Sequence, residues 1–445
     1  MKTKILFATL ASLVLFSSVH AQAVDKAKLD RFLDRLLEKN QAMGELTIVR
    51  NGELIYDHAF GFGQMNGGVK QPLTAASRFR IGSITKMFTA IIVYQLAEEK
   101  RLNLADKLDQ FVPQIPNASK ITIAHILGHR SGIHNVFGDP AQAPWPPDQP
   151  ISKADLLARI AKGPPDFEPD SMHRYSNSGY SVLGFVIEKV TGKAYEDVVK
   201  ERIISRVGLN DTYVTDAPID VTQGEALTYR AFADGWRQSS SENHPTIRFA
   251  AGSIVSTTGD MAKFIKALFD GKLISPESLQ TMKTPREGEG MGMVTFTWEG
   301  RTFYGENGGD AATGAWVAYL PEEKLAIAYI TNAKVYLVSE IMKGIAAIYY
   351  NRPFEIPAFE KVEVSPETLE KYVGVYVSPP GRFTITHQGS TLYVQPASAS
   401  QPAPTEAKSE TIFQITNGVT MEFNVEKGQM TLKRPQGERV FTREK

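Results

Sequence analysis

The sequence predicts an α/β (α+β) fold: an antiparallel sheet flanked by helices, with a mainly helical insertion and a small C-terminal antiparallel β-barrel. Three observations carry the prediction. Strand patterns occur at both ends of the segment from about 30 to 350, in hairpin order and not as a βαβ series. Between them, from about 100 to 245, the chain is helical and loop-rich with many Pro and Gly breaks. Beyond about 353, short alternating runs recur with Gly-containing turns.

The elements follow in order. Residues 25–43 have helical spacing, with Leu29, Phe32, Leu33, Leu36 and Leu37 on one side. Residues 46–63 alternate and turn at Asn51-Gly52, a strong hairpin signal. The run 87–99 is apolar nearly all round until Glu98, which predicts a helix passing through a core. Strand patterns return at 294–309 and 315–333, and a helix pattern follows at 335–351. The Pro-marked stretch 353–368 reads as a linker between a unit at 22–352 and a second at 369–445. In the second unit, 371–378, 382–389, 391–397, 412–418, 419–428, 429–437 and 439–445 read as strands, and 396–410 as a flexible loop.

Residues 1–21 have the form of a secretory signal peptide. Lys2 and Lys4 precede the apolar run 5–19, and Val19-His20-Ala21 offers small residues for cleavage. Cleavage there removes two bases and no acid from a balance of 49 against 49, leaving a formal charge of −2. The expected location is periplasmic or secreted, with no later segment long and apolar enough to span a membrane. The charge balance gives no nucleic-acid footprint. Zero cysteines exclude disulfides, thiol catalysis and cysteine-held metals.

The chemistry starts at Ser83-Ile84-Thr85-Lys86. A hydroxyl and an amine three residues apart on a helix share a face. In a buried helix Lys86 loses its proton more readily, and a neutral amine beside a serine hydroxyl makes a nucleophile with its own base. Gly82 permits a close approach, and Ser83 falls where helix-start N–H groups favour negative charge. Tyr175-Ser176-Asn177 precedes the helix pattern 179–192. A phenol there can relay a proton and an amide can hold a carbonyl; alternatively Asn caps the helix and Tyr packs. His125, His129 and His134 lack the acidic partner and HExxH spacing of a zinc helix and read as structural. No GxSxG elbow or Walker loop occurs, and Gly61-Phe62-Gly63 lacks the spacing of a dinucleotide loop. The aromatic, Pro-rich stretch 136–150 around Trp145 reads as a surface loop.

Taken together, four segments resemble the penicillin-recognising serine hydrolases: class C β-lactamases, D-alanyl-D-alanine carboxypeptidases, D-aminopeptidases and related esterases. They are Ser83 to Lys86 with the following Met-Phe-Thr-Ala, the stretch 102–133 ending in His129 to Gly132, the Tyr175 stretch 175–199, and 250–268. The resemblance implies a serine β-lactamase/transpeptidase-like fold and an acyl-enzyme on Ser83, with no metal and no cofactor. Lys86 would be the base, Tyr175 the proton relay, and Asn177 the holder of the substrate carbonyl or amide. Backbone N–H groups of Ser83 and Gly309 would form the oxyanion hole. The implied substrate is a small molecule or peptide, peptidoglycan-derived ones included: a D-residue peptide, a β-lactam or a small ester.

The third motif departs from the family pattern of Lys-Thr-Gly or His-x-Gly. Here Glu306-Asn307-Gly308 stands in the substrate-binding stretch, with an acid where a base is expected. An inward, ionised Glu306 would disfavour substrates bearing a carboxylate and raise the pKa of Lys86 and Tyr175; the other reading turns it aside into a salt bridge. The altered motif also motivates a rival: a non-catalytic relative that binds peptidoglycan or a protein partner. The C-terminal strands resemble the barrel appended to some D-aminopeptidases.

Overall fold

The computed structural model describes residues 24–444 except 67, 138–147, 233–234, 240–242, 288, 311, 360–361, 380, 398, 400–401, 417–418 and 435–436. The expected signal peptide and the Trp145 centre of the Pro-rich stretch therefore lie outside the described residues.

Helix α1 (Lys26–Glu38) is capped by the Asp25 carboxylate, which accepts from the Lys28 N–H, and it buries Leu29, Phe32, Leu33 and Leu36. It ends before the expected residue 43. Asn40 turns into the left-handed region (φ 52°), and Ala42 and Met43 open strand β1 (Ala42–Arg50). Asn tolerates that conformation, and the apolar pair that looked helical serves the strand instead. The hairpin to β2 (Glu53–Phe60) forms as expected, with positive φ at both Asn51 and Gly52 (54° and 86°). That is the signature of the type I′ turn, whose twist matches the strands.

Four later strands complete the main sheet: β3 (Val294–Trp298), β4 (Arg301–Gly309), β5 (Gly314–Leu320) and β6 (Leu325–Lys334). The order is β3-β4-β5-β6-β1-β2, every pair antiparallel, so the first hairpin docks on the last strand. A short hairpin beginning at Tyr229–Phe232 touches the far end of β6.

Period-2 alternation gives the sheet two apolar faces. Leu325, Ile327 and Tyr329 of β6 pack with α1 and with the closing helix Val338–Tyr349. Ala326, Ala328 and Ile330 pack on the opposite side, against the helical part. There lies the central helix α2 (Thr85–Glu98), buried at every position from Thr85 to Leu96, as its all-round apolar sequence requires. Helices α3 (Asn177–Thr191) and α4 (Thr258–Phe269) flank it.

The C-terminal strands form one antiparallel sheet of nine strands. Its two edges, Ala403–Pro404 and Glu406–Ala407, are separated in sequence only by Thr405, so one extended segment pairs with both ends and nearly closes a barrel. This corrects the reading of 396–410 as a plain loop. The composition there is Pro- and Ser-rich, but edge and short strands accept Pro. The barrel has its own core, including Ile385, Leu392, Phe413, Met421, Met430 and Phe441. Among the described residues no helix is long and apolar enough to cross a membrane.

Candidate active site

The site forms where α2 begins, beneath the end of β4. Ser83 sits in a 3₁₀ turn, Gly82–Ile84, that runs directly into α2. Gly82 holds φ 54°, and a Cβ on it would lie 2.5 Å from the Gly309 nitrogen. A Cβ on Gly308 would lie 2.2 Å from the Ile81 carbonyl oxygen and 2.7 Å from the Ser83 nitrogen. Only glycine permits this contact, which brings the backbone of Ser83 against that of Gly308 and Gly309.

Lys86, one turn along α2, is 1% exposed. Its Nζ lies 2.9 Å from Ser83 Oγ, 2.8 Å from Asn177 Oδ1 and 2.9 Å from the Ala251 carbonyl oxygen. Burial lowers its pKa to about 7; Glu306 and Glu289 oppose the shift and Arg248 adds to it. The geometry suits the neutral form. A neutral amine has two N–H groups, which the two carbonyl oxygens accept, and its lone pair is left facing Ser83 Oγ.

The Tyr175 hydroxyl also donates to Ser83 Oγ, at 2.7 Å, and Lys86 Nζ stands 4.9 Å from the centre of its ring. Loss of hydration, then the nearby Glu306 charge, push this phenol above its ordinary value. The first cause is moderated because 37% of the residue is open to solvent. The Tyr175 loop is held locally. Ser176 is extended at the N-cap of α3, accepting from the Gly179 N–H and donating to the Ile133 carbonyl. Asn177 donates its N–H to Asn135 Oδ1 at 3.1 Å. The capping alternative is corrected: Ser176, not Asn177, caps the helix, while Tyr175 and Asn177 meet the Ser–Lys pair.

Behind Tyr175 stands His129, its ring centre 4.5 Å away, buried and held well below its usual pKa by loss of hydration. It accepts from the Ser176 N–H, so it props the loop. His125 completes a capping box with Thr122, and His134 meets Asp166 Oδ1 at 2.6 Å.

Glu306 shares strand parity with Tyr304 and so faces the helical side of the sheet; it is 7% exposed. Among the described residues it makes no ion pair. Its Oε1 accepts from the Asn307 N–H at 2.9 Å. The aside-turned, salt-bridged alternative is therefore not what forms. Burial raises the carboxyl to about 7, while the Asn307 N–H and Lys86 draw it down. Glu306 and Lys86 titrate as a pair. Asn307 itself is exposed on the alternate parity.

Sequence reasoning missed three contributors. The Ala251 carbonyl lies within the 250–268 stretch but carries no side-chain signal. Glu289, with His173 Nε2 3.2 Å from its Oε2, and Arg248 act on Lys86 through space only.

Comparison with known proteins fits this geometry. A family model described as Beta-lactamase matches residues 29–348. The chain belongs to the beta-lactamase family. It is thus related to the serine hydrolases that include penicillin-binding proteins. Within the family it is 26% identical over 395 residues to Penicillin-binding protein 4* of Bacillus subtilis (strain 168), spanning 82% of this chain and 86% of that one. The D-amino acid amidase of Ochrobactrum anthropi SV3 superposes with a TM-score of 0.65 at 25% identity, covering 73% of this chain and 98% of its own. The octameric penicillin-binding protein homologue of Pyrococcus abyssi covers 94% of this chain and 100% of its own, with a TM-score of 0.63. At 23% identity that last likeness speaks for the fold alone.

Proposed function

We propose that this family member is an exported serine hydrolase that cleaves an amide or ester through an acyl-enzyme on Ser83. The observation that carries the reading is Ser83 Oγ held between Lys86 Nζ at 2.9 Å and the Tyr175 hydroxyl at 2.7 Å. Neutral Lys86 takes the Ser83 proton as Oγ attacks the carbonyl. The developing oxyanion faces the Ser83 and Gly309 N–H groups, in backbone contact across Gly308. The Tyr175 phenol returns a proton to the leaving amine or alcohol, with Lys86 resupplying it. Water then attacks the acyl-enzyme by the reverse path. Asn177, held on Lys86 through Oδ1, offers its amide N–H groups to a substrate carbonyl. The similarity to D-amino acid amidase favours amides of D-residues as the substrate class to test before β-lactams and small esters.

Hydrolysis of a p-nitrophenyl ester by wild type, Ser83→Ala, Lys86→Ala and Tyr175→Phe tests the reading. Loss of Ser83 is expected to cost at least about 10³-fold in kcat. Equal rates for wild type and Ser83→Ala would remove Ser83 from the reaction.

A further inference from the structure

The cleft holds four charged groups: Lys86, and the Glu306, Glu289 and Arg248 charges that act on it and on Tyr175. Three of them have a partner. While Lys86 and Glu306 share one proton, the pair carries no net charge. Glu289 has the His173 ring at 3.2 Å.

Arg248 differs. Among the described residues its guanidinium makes no hydrogen bond and no ion pair, although the side chain is half-buried. Its stem lies across Gly252, where a Cβ would come within 3.0 Å of Arg248 Cδ and 3.2 Å of Arg248 Cβ. The preceding residue, Ala251, supplies the carbonyl that holds Lys86 Nζ. The turn between them is strained: Phe249 takes φ 39° with ψ −132°. A guanidinium that no protein acceptor holds is free to take one from a ligand, and its planar donor fork suits a carboxylate.

We infer that Arg248 receives a carboxylate of the substrate, supplying from the 248–252 turn the cation that Glu306 displaces from the third motif. This rests on the Ser83 reading above and deepens it. It also alters the expectation drawn from Glu306 alone, because the Arg248 cation offsets the repulsion of that carboxylate.

The test uses two pairs of esters on the full-length protein. p-Nitrophenyl glutarate against p-nitrophenyl butyrate places the carboxylate on the acyl side. 3-Carboxyphenyl acetate against phenyl acetate places it on the leaving group. Wild type is expected to favour the carboxylate member of one pair in kcat/KM. Arg248→Ala should lose about ten- to hundredfold on that member, mainly in KM, and at least tenfold less on its neutral partner. Arg248→Lys should recover part of the loss. Indifference of wild type within both pairs would overturn the inference with no variant needed. Equal losses on charged and neutral members, in Arg248→Ala and Arg248→Lys alike, would assign Arg248 to holding the turn and overturn it too. Absence of all ester hydrolysis in folded wild type would instead sink the Ser83 reading, and this inference with it.

Discussion

With Lys86 1% exposed and its amine lowered to about 7 by loss of hydration, the proposed catalysis is tied to a single proton. The base must be neutral, so kcat/KM for a non-ionising ester should rise with pH through about 7 and then level. Glu306 raises the Lys86 pKa. Replacing it by Gln removes that charge, and the acid limb should move to lower pH; a pH–rate profile of both proteins reads the shift. A limb that stays put would mean that Glu306 does not act on Lys86. Glu45 gives a second titration, outside the site. It is 1% exposed on β1, and burial raises its pKa from 4.5 to about 8. The folded state thus keeps a proton that the unfolded chain releases above 4.5, so stability falls as pH rises from 4.5 to about 8 and is flat beyond. The expected cost at pH 7 is about 3 kcal/mol. In Glu45→Gln this slope should vanish, and the difference in Tm between variant and wild type should grow in the variant's favour across that window. Ser83, Lys86, Tyr175 and Asn177 were legible as residues because each sits in a short pattern at a helix start. Arg248 and Glu289 were not, since their relation to Lys86 exists only after folding.

At the scale of elements, the site depends on one junction: the 3₁₀ turn Gly82–Ile84 pressed on the end of β4. A methyl group at Gly308 would collide with the Ile81 carbonyl and the Ser83 nitrogen. Gly308→Ala is therefore expected to part the two N–H groups proposed for the oxyanion, costing about 10²–10³-fold in kcat. Circular dichroism should stay native, because the rest of the sheet is untouched. Wild-type kcat in this variant would show that the junction does not shape the site. The elements themselves were readable where pattern and turn chemistry agree, as in the Asn51-Gly52 hairpin and the all-apolar α2. They were less readable where an apolar pair served two periods. Ala42 and Met43 continue the spacing of α1, yet the left-handed turn at Asn40 gives them to β1. Residues 403–407 escaped for another reason. Their strand character comes from two partners far apart in sequence, and nothing local reports it.

Over the whole molecule, two apolar clusters line the faces of the main sheet, and a third belongs to the barrel with no member in common. We propose that the units 22–352 and 369–445 fold separately, joined through 353–368. Scanning calorimetry should then resolve two transitions, of which only one moves when a covalent Ser83 inhibitor is bound. A single transition would mean one cooperative unit. The overall architecture was legible because strand runs at both ends of the catalytic unit must close one antiparallel sheet around the helices between them. Which charges meet in the cleft was not, since that follows from the path of loops such as 248–252.

The most direct test of the central claim is intact-protein mass spectrometry after brief mixing with a slowly hydrolysed ester, followed by peptide mapping. A single acyl increment on the peptide containing Ser83, absent in Ser83→Ala and slow to form in Lys86→Ala, is the expected result. Turnover of the ester without any adduct, or an adduct on another residue, would contradict it.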